Sequence, residues 1–360
     1  MNKFSKEDLR LFQAESLHEK EQRSLAKISE WFSYWNNEVY VAFSGGKDSS
    51  VLADLCGFWC SIVGTPLYLV FVDTGLEFPE IRKHCKEFTE FLRGKYSIEV
   101  VLDIIRPDMR FDEVIKKYGY PIISKEVSNT IEGARRNPNS TRMKKLEDSM
   151  EKKNGKSLFN CPKWEPLLHT DFKISDSCCS VMKKKPCYKY EKETDRKPIL
   201  GQLAEESRKR KTAWLETGCN AFTSKRPQSN PMAFWREQDV LQYIKKHKIP
   251  IASVYGEIEY ADDPEQLRLE DLGVECGYEK LCTTGRDRTG CIFCAFGSHL
   301  EKSPSRFEML KKTHPRQYEY LIGGGEYDEN GVWTPNKKGL GMAHVFDELN
   351  RIYGEDFIKY

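Results

Sequence analysis

The sequence lacks any long apolar run and carries little net charge. No stretch of its 360 residues approaches the length of a membrane span, and residues 1–6, Met-Asn-Lys-Phe-Ser-Lys, lack the apolar centre of a signal peptide. The net charge of +2 gives no overall nucleic-acid signature, although it permits local basic patches. We therefore expect a cytoplasmic protein without a membrane partner.

Disulfide bonds are not expected, although the chain has 12 cysteines. A cytosolic compartment keeps thiols reduced, so clustered cysteines in such a protein need another role. Cys56 and Cys60 follow a helical pattern, and we expect them to be small buried side chains. The cysteines clustered near residues 178 and 282–294 are the candidates for chemistry.

A glycine turn follows the first predicted strand. The apolar run 38–43 ends in residues 44–49, Ser-Gly-Gly-Lys-Asp-Ser, and passes into residues with helical spacing. A pair of glycines lets the backbone approach a ligand closely, and the N–H groups of the first helical turn have no partner inside the helix. The stretch therefore predicts a phosphate site, without the spacing of a Walker loop. Its candidate binding residues are Ser44, Gly45, Gly46, Lys47, Asp48 and Ser49.

Strands and helices alternate on both sides of this turn. Residues 5–36 predict an amphipathic helix pair, residues 67–72 predict a strand buried on both faces, and residues 78–93 and 98–104 predict a helix and another strand. Alternation of this kind predicts an α/β fold with a parallel sheet, whose ligands bind beyond the carboxyl ends of the strands. The residues that directly follow the second strand are therefore nucleotide-side candidates: Asp73, Thr74 and Gly75.

The turn resembles the PP-loop of ATP pyrophosphatases, which cleave ATP between the α- and β-phosphates. Residues 73–80, Asp-Thr-Gly-Leu-Glu-Phe-Pro-Glu, resemble a motif of the phosphoadenosine-phosphosulfate (PAPS) reductase superfamily. The resemblance continues to about residue 300. It implies an adenine-nucleotide α-hydrolase-like fold, a parallel twisted sheet with helices on both faces, and ATP and Mg²⁺ as ligands. The catalytic residues that it implies are Lys47, Asp48 and Asp73.

Residues 201–210 resemble a Gly-x-Arg-x-x-Glu-Ser-x-x-Arg segment of the same superfamily, whose basic residues face the anionic substrate. Here Gln202 and Leu203 follow the glycine, so the usual arginine is missing, while Ser207 and Arg210 match. The resemblance implies that these two residues contact the nucleotide. Residues 230–255 also resemble the superfamily, and we interpret them mainly as a packing helix.

Three cysteines lie within residues 282–294, and the last two form a Cys-x-x-Cys pair. A fourth thiol from Cys178 or Cys179 would complete a set that suits either a [4Fe–4S] cluster or tetrahedral zinc. The layout resembles that of the iron–sulfur PP-loop protein of DNA phosphorothioation, which implies the cluster and leaves zinc as the alternative. The implied ligands are Cys179, Cys282, Cys291 and Cys294, with Cys178 as competitor for the first place and Cys187 and Cys276 in reserve.

We divide the chain into five predicted segments. A basic insertion interrupts the superfamily resemblance, and it predicts either a solvated loop or a mobile surface that meets a polyanion. The segments are an N-terminal helical part (1–36), the PP-loop nucleotide-binding core (37–134), the basic insertion (135–160), the remainder of the PAPS reductase-like domain with the four-cysteine site (161–300), and a C-terminal extension (301–360).

Three functions are compatible with these motifs. The first is an ATP pyrophosphatase that activates an acceptor by adenylation for sulfur transfer, with a cysteine desulfurase or another sulfur donor as partner and nucleic acid as a candidate acceptor. The second is a sulfonucleotide reductase, whose family places its nucleophile in a C-terminal Glu-Cys-Gly-Leu-His-like tail. No cysteine follows Cys294, and Glu275-Cys276-Gly277 precedes the cluster. The third is a non-catalytic nucleotide-binding subunit of a larger complex.

Overall fold

The computed structural model describes residues 3–152, 155–261 and 280–360. The chain forms two compact units, each discontinuous in sequence. The five predicted segments divide the chain differently and stay a prediction, and Cys276 lies outside the described residues. Unit 1 contains Met1–Asp73, Glu77–Ile105 and Cys187–Thr289, and unit 2 contains Thr74–Leu76, Arg106–Pro186 and Gly290–Tyr360.

Unit 1 is built on a six-stranded sheet in which every neighbouring pair is parallel except the last. Val39, Tyr40 and Val41 are all buried, although successive strand residues face opposite sides of a sheet, so both faces are covered. The predicted α/β fold, a parallel sheet covered by helices, is confirmed. In spatial order the strands are Val100–Ile105, Leu67–Val72, Val39–Ala42, Lys197–Ile199, Gln228–Ser229 and Asn220–Ala221.

The helices of unit 1 begin and end where the local sequence supplies caps. Ser5 and Ser16 each start a helix with a capping box, which confirms the predicted N-terminal pair. The helix Pro79–Tyr96 ends three residues beyond its predicted end, and Ser97 caps it in the left-handed region. The helices are Lys6–Ala14, Leu17–Tyr34, Lys47–Val63, Pro79–Tyr96, Arg208–Thr217, Glu237–His247 and all but the first two residues of Lys185–Thr194. The unit also has 3₁₀ turns Ala204–Glu206 and Ser253–Tyr255 and an antiparallel pair, Ile258–Tyr260 with Leu281–Thr283.

A buried carboxylate fixes the helix that follows the glycine turn. Asp54 is fully buried in that helix and accepts hydrogen bonds from Lys95 (2.7 Å), the Tyr96 hydroxyl (3.0 Å) and the Tyr243 hydroxyl (2.8 Å). A buried charge is tolerated only when such partners compensate its lost hydration. The network therefore joins the helix to two neighbouring helices and fixes the direction in which its N-terminus points.

Helices form most of the regular secondary structure of unit 2. Phe307, Leu321 and Phe346 are fully buried in its core. The helices are Phe111–Tyr118, Lys125–Arg136, Thr141–Leu146, Arg306–Thr313, Pro315–Ile322 and Met342–Tyr353, with a π-helix at Ser180–Lys184 and 3₁₀ helices at Pro162–His169 and Ser298–Leu300. The strand pairs are Ile122–Ile123 with Ala295–Phe296, Glu151–Lys152 with Gly155–Lys156, and Glu326–Tyr327 with Trp333–Thr334.

Two arginines of the basic insertion make contacts within unit 2. Arg135 is half-buried, and its guanidinium donates to the backbone carbonyls of Leu167 (2.6 Å) and Phe172 (2.7 Å). Arg142 lies across Gly133, where a Cβ atom would meet its side chain at 2.2 Å. The prediction of a solvated or mobile insertion is therefore wrong for Arg135, whereas Arg142 is exposed and donates to Asn129 Oδ1 at 2.8 Å. For the rest of the insertion it stays a prediction.

No helix within residues 3–152, 155–261 and 280–360 combines the length and the apolar character needed to cross a bilayer.

Candidate functional site

The glycine turn has the backbone that the sequence predicts. Gly46 caps the helix Lys47–Val63 without a side chain, and Gly45 has φ +71°, in the region that favours glycine. A Cβ atom on Gly45 would meet Cys85 Sγ and Ile81 Cγ2 at 2.8 Å. The turn therefore requires glycine at this position for both its conformation and its packing.

Neutral hydroxyl groups bind the backbone N–H groups at the start of this helix. The N–H of Gly46 donates to Ser44 Oγ (3.4 Å), and the N–H of Lys47 donates to the Tyr255 hydroxyl (3.2 Å). Ser44 Oγ also lies 3.1 Å from Ser49 Oγ. A bound phosphate would accept hydrogen bonds from the same N–H groups, because anions bind at helix N-termini through these donors.

The side chain of Lys47 is buried in the same place, with 3 % of the residue exposed. Its ammonium lies 3.0 Å from Glu237 and 3.8 Å from Asp48, and it donates to the carbonyl oxygen of Asp287 at 3.2 Å. Burial by itself lowers the pKa of Lys47, but the two carboxylates outweigh it and the net shift is upward. Lys47 is therefore a fixed positive charge at the turn.

Asp48 has an incomplete set of partners. Its Oδ1 atom is buried and has no hydrogen-bond partner within the described part of the chain. Burial raises the pKa of Asp48, while the nearby Lys47 opposes this shift. An unsatisfied carboxylate oxygen beside a phosphate site is a chemically suitable ligand for Mg²⁺.

The second predicted segment is divided between the two units. In unit 1, Asp73 directly follows the strand Leu67–Val72 and forms an ion pair of 2.7 Å with Arg82. In unit 2, the hydroxyl of Thr74 accepts a hydrogen bond from the N–H of Leu76 (3.2 Å), and Gly75 has φ +79°. Asp73 therefore lies in the unit that contains the glycine turn, and its catalytic role stays a prediction.

Unit 1 brings residues 201–210 to the glycine turn. A Cβ atom on Gly201 would meet the backbone oxygen of Asp48 at 3.0 Å, and Asp48 interacts electrostatically with Arg210. Ser207 Oγ caps the next helix by accepting from the N–H of Arg210 at 3.3 Å. Glu206 pairs with Arg210 and lies 3.8 Å from Arg288. Arg210 and Arg288 thus lie beside two carboxylates, those of Glu206 and Asp48.

Sequence reasoning missed the groups that the distant chain supplies to the turn. It interpreted Tyr255 as packing, which agrees with its burial but overlooks the hydroxyl that contacts Lys47. It did not single out Glu237, Asp287 or Thr289, whose hydroxyl lies 2.6 Å from that of Tyr255. No motif identifies these residues, because their contacts join distant parts of the chain; those of Lys47 with Tyr255 and Asp287 span more than 200 positions.

Cys178 lies within electrostatic range of three other thiols of unit 2. Cys178 and Cys179 precede the π-helix, with their sulfur atoms 4.0 Å apart, and Cys178 interacts with Cys291 and Cys294. The hydrogen bond from Cys178, followed by the ammonium of Lys125, lowers the pKa of Cys179 to about 5 against the opposing effect of burial. Cations and half-buried thiols of this kind are chemically suited to a thiolate-bound metal centre.

The other predicted ligands lie in unit 1. Cys282 lies in the short strand Leu281–Thr283, and Cys187 lies in the helix Lys185–Thr194. Across residues 3–152, 155–261 and 280–360, no three His, Cys, Asp or Glu side chains are grouped closely enough to hold a metal ion as they stand. The four-cysteine ligand set therefore stays a prediction.

Two solved structures resemble the chain weakly. An NMN synthetase from Francisella tularensis is 14% identical with a TM-score of 0.32, covering 66% of this chain and 72% of that chain. The U34-tRNA thiolase NcsA from Methanococcus maripaludis with its [4Fe–4S] cluster is 14% identical with a TM-score of 0.33, covering 84% and 76%. Likeness at this level carries no argument about the site.

Two uncharacterized proteins of Methanocaldococcus jannaschii are each 34% identical to this chain, over 101 and 104 residues. The matched region is 28% of this chain in both cases, and it spans only 19% and 23% of the relatives' own length. The model of the phosphoadenosine phosphosulfate reductase domain matches residues 38–173 and 124–295, which together are more than half of the chain. The chain therefore belongs to the phosphoadenosine phosphosulfate reductase domain family.

Proposed function

We propose that this chain is an ATP-dependent adenylating enzyme that cleaves ATP between the α- and β-phosphates at residues 44–49 and activates an acceptor for sulfur transfer. The observation that carries the proposal is the buried ammonium of Lys47 beside helix N–H groups that are bound to neutral hydroxyls. A fixed cation and preorganised N–H donors stabilise the charge that develops on a leaving pyrophosphate.

The first step joins the acceptor to AMP. An acceptor oxygen attacks the α-phosphorus, a new oxygen–phosphorus bond forms, and the bond from that phosphorus to the β-bridging oxygen breaks. Pyrophosphate leaves with the electron pair, and Lys47 together with the N–H groups of the turn binds it. Asp48 and Asp73 would hold Mg²⁺, which supplies charge neutralisation at the phosphates when bound. Arg210 and Arg288 would contact the nucleotide from the other side of Asp48.

The second step replaces the activated oxygen by sulfur. A sulfur nucleophile bonds to the acceptor atom that carries the activated oxygen, and AMP leaves with that oxygen. The sulfur comes from hydrosulfide or from a protein persulfide with a thiol reductant, so a cysteine desulfurase or another sulfur donor is the expected partner. Nucleic acid is a candidate acceptor.

The thiols of the chain would hold a metal centre. The proposed ligands of a [4Fe–4S] cluster are Cys179, Cys282, Cys291 and Cys294, with Cys178 as competitor and zinc as the alternative metal. The cluster would supply a site that binds or positions sulfur when present. Lys125 and Arg306 lie within electrostatic range of Cys294, and their charges would offset those of the thiolates.

A second candidate function is a sulfonucleotide reductase, which the family match favours. That reaction needs a thiolate that attacks the sulfate sulfur, whereas the adenylation proposal needs cleavage of ATP. The products therefore separate the two candidates. A third candidate, a nucleotide-binding subunit without activity, would bind ATP and convert neither substrate.

The test measures products from MgATP by ³¹P NMR and, in parallel, the consumption of adenylylsulfate or PAPS with a thiol donor. Water replaces the acceptor oxygen in this assay, so we expect AMP and pyrophosphate from the native chain. Lys47→Ala should lose at least about 100-fold of this activity, since preorganised charge of this kind contributes on that scale. Lys86→Ala, an exposed lysine on a neighbouring helix, is the matched control and should keep its activity. Reduction of the sulfonucleotide without pyrophosphate release, or a nucleotide-induced rise in melting temperature without turnover, would overturn the proposal.

A further inference from the structure

Positive charge is concentrated in one part of unit 2. Residues 135–163 contain nine lysines and arginines and three acidic residues, a net charge of +6, whereas the whole chain carries only +2. The rest of the chain is therefore net negative. A local concentration of this kind is the electrostatic feature of a surface that binds a polyanion.

Some of these lysines and arginines already form hydrogen bonds or ion pairs within unit 2. Arg135 and Arg142 form the hydrogen bonds described above, and Arg136 forms an ion pair of 2.7 Å with Glu132. Lys156 pairs with Asp148. Three further lysines are candidates for a ligand: exposed Lys144 and half-buried Lys145 in the helix Thr141–Leu146, and exposed Lys163 in the 3₁₀ helix Pro162–His169.

Two of these lysines lie over aromatic rings at the surface. The ammonium of Lys145 is 5.5 Å from the ring centre of Phe159, and that of Lys163 is 4.9 Å from the ring centre of Trp164. Phe159 is 51% exposed. The two pairs are joined through the backbone, because the N–H of Cys161 donates to the carbonyl of Lys145 at 2.8 Å.

The second ring is held rigidly. Trp164 packs edge-to-face against Tyr353, with ring centres 5.2 Å apart, and against His299 at 5.7 Å. A ring fixed in this way needs little further ordering when a ligand stacks on it. We call the set Lys144, Lys145, Phe159, Lys163 and Trp164 the basic aromatic surface.

We infer that the basic aromatic surface binds single-stranded nucleic acid, an inference that rests on the proposed function because it names the class of the acceptor. Lysines attract the phosphates, and exposed aromatic rings stack on unpaired bases without a sequence requirement. The bases of a duplex are already stacked on one another, so the rings would add nothing to duplex binding. Charge together with accessible rings therefore favours a single strand.

The experiment measures the fluorescence anisotropy of a labelled 20-nucleotide oligo-dT between about 50 and 200 mM salt. Lys145→Ala/Lys163→Ala should weaken binding about ten-fold and reduce the slope of log K against log salt by about 1.4, since each phosphate contact on a single strand contributes about 0.7. Phe159→Ala should weaken binding about five-fold or more with little change of slope, because stacking releases no counterions.

The matched control is Lys337→Ala/Lys338→Ala, which removes two charges from exposed lysines elsewhere in unit 2 and should bind as the native chain does. Unchanged melting temperatures would show that all variants fold. The inference is overturned when the native chain does not bind the oligonucleotide, prefers a duplex of the same length, or is matched in affinity by the variants. If the oligonucleotide binds as expected but the chain releases no pyrophosphate from ATP, the proposed function is refuted and the inference about the basic aromatic surface is supported.

Discussion

The hydroxyl of Tyr255 accepts a hydrogen bond from the backbone N–H of Lys47 at 3.2 Å, across 208 positions of the sequence. This N–H belongs to the first turn of the helix Lys47–Val63, where a phosphate oxygen would bind. A nucleotide that binds this N–H group would therefore have to displace the tyrosine hydroxyl. Its second contact, 2.6 Å to the Thr289 hydroxyl, fixes the orientation of the ring.

We expect Tyr255→Phe to bind ATP about two- to ten-fold more tightly, because the nucleotide no longer displaces a hydrogen bond with a net contribution of about 0.5–1.5 kcal/mol. Calorimetric titration with MgATP measures the change. Tyr243→Phe is the matched control, since it removes a buried hydroxyl that donates to Asp54 at 2.8 Å, and it should lower stability without changing affinity. Weaker ATP binding in Tyr255→Phe would instead indicate that this hydroxyl contacts the nucleotide.

Substitutions at two glycines of unit 1 distinguish the energetic cost of backbone strain from that of a packing clash. Gly45 and Gly64 have nearly equal φ values, +71° and +68°, but only Gly45 has neighbours that a Cβ atom would strike. We expect Gly64→Ala to reduce the free energy of unfolding by about 1–2 kcal/mol, the strain of a left-handed residue. Gly45→Ala should lose clearly more and also lose ATP binding, as measured by chemical denaturation and titration. Equal losses in the free energy of unfolding would mean that the side chains of Cys85 and Ile81 can move away from the new Cβ atom without an energetic penalty.

His84 predicts a pH dependence of stability. It is buried, its Nε2 lies 3.0 Å from Ser50 Oγ, and burial lowers its pKa from 6.5 to about 4. Between those two values the unfolded chain binds more protons than the folded chain, so the free energy of unfolding falls as the pH is lowered from 6.5 towards 4. The contribution is up to about 3 kcal/mol, at 1.36 kcal/mol for each pH unit.

Chemical denaturation at pH 7, 6, 5 and 4 measures this effect. His84→Gln should be less stable at pH 7 but should show a shallower fall with pH, because it has no group that must be buried neutral. His169→Gln, which changes an exposed histidine, should keep the native pH profile. If the free energy of unfolding of His84→Gln falls with decreasing pH as steeply as that of the native chain, His84 is not the cause of the pH dependence.

The cysteines of unit 2 can be tested independently of any activity. After anaerobic purification we expect absorbance near 400 nm with iron and sulfide, a rough expectation for an iron–sulfur cluster, and its loss in Cys179→Ser, Cys291→Ser and Cys294→Ser. Cys161→Ser, a half-buried thiol of the same unit, is the control and should keep the absorbance. Colourless native protein with stoichiometric zinc would refute the cluster in favour of the alternative metal.

The variants Cys178→Ser and Cys282→Ser decide the two open positions of the ligand set. If Cys282 is a ligand, its serine variant loses iron to the same extent as Cys291→Ser, whereas Cys178→Ser keeps it. If instead Cys178→Ser loses iron and Cys282→Ser keeps it, the metal ligands include both Cys178 and Cys179, and all of them lie in unit 2. Iron content per chain, measured by colorimetric assay, reports each case directly.

Much of the fold followed from local sequence. The continuous apolar strand 67–72 and the helix starts at Ser5 and Ser16 were predictable, because burial on both faces and N-terminal capping leave signals within a few residues. The helix that Ser97 caps was predicted too short, since its cap uses a left-handed non-glycine residue that propensity does not favour. Arg135 was misjudged because its carbonyl partners lie more than 30 positions away.

The sequence by itself determined the phosphate turn, since Ser-Gly-Gly-Lys-Asp-Ser after a strand specifies backbone conformation, exposed N–H groups and charge within six residues. It also determined the α/β class, because the period of the apolar residues is a local property. Only the tertiary structure decided that Tyr255 and Glu237 complete the turn, and that Lys145 and Lys163 lie over surface rings. Such contacts depend on how distant elements pack, and the energy that specifies them is spread over the whole core.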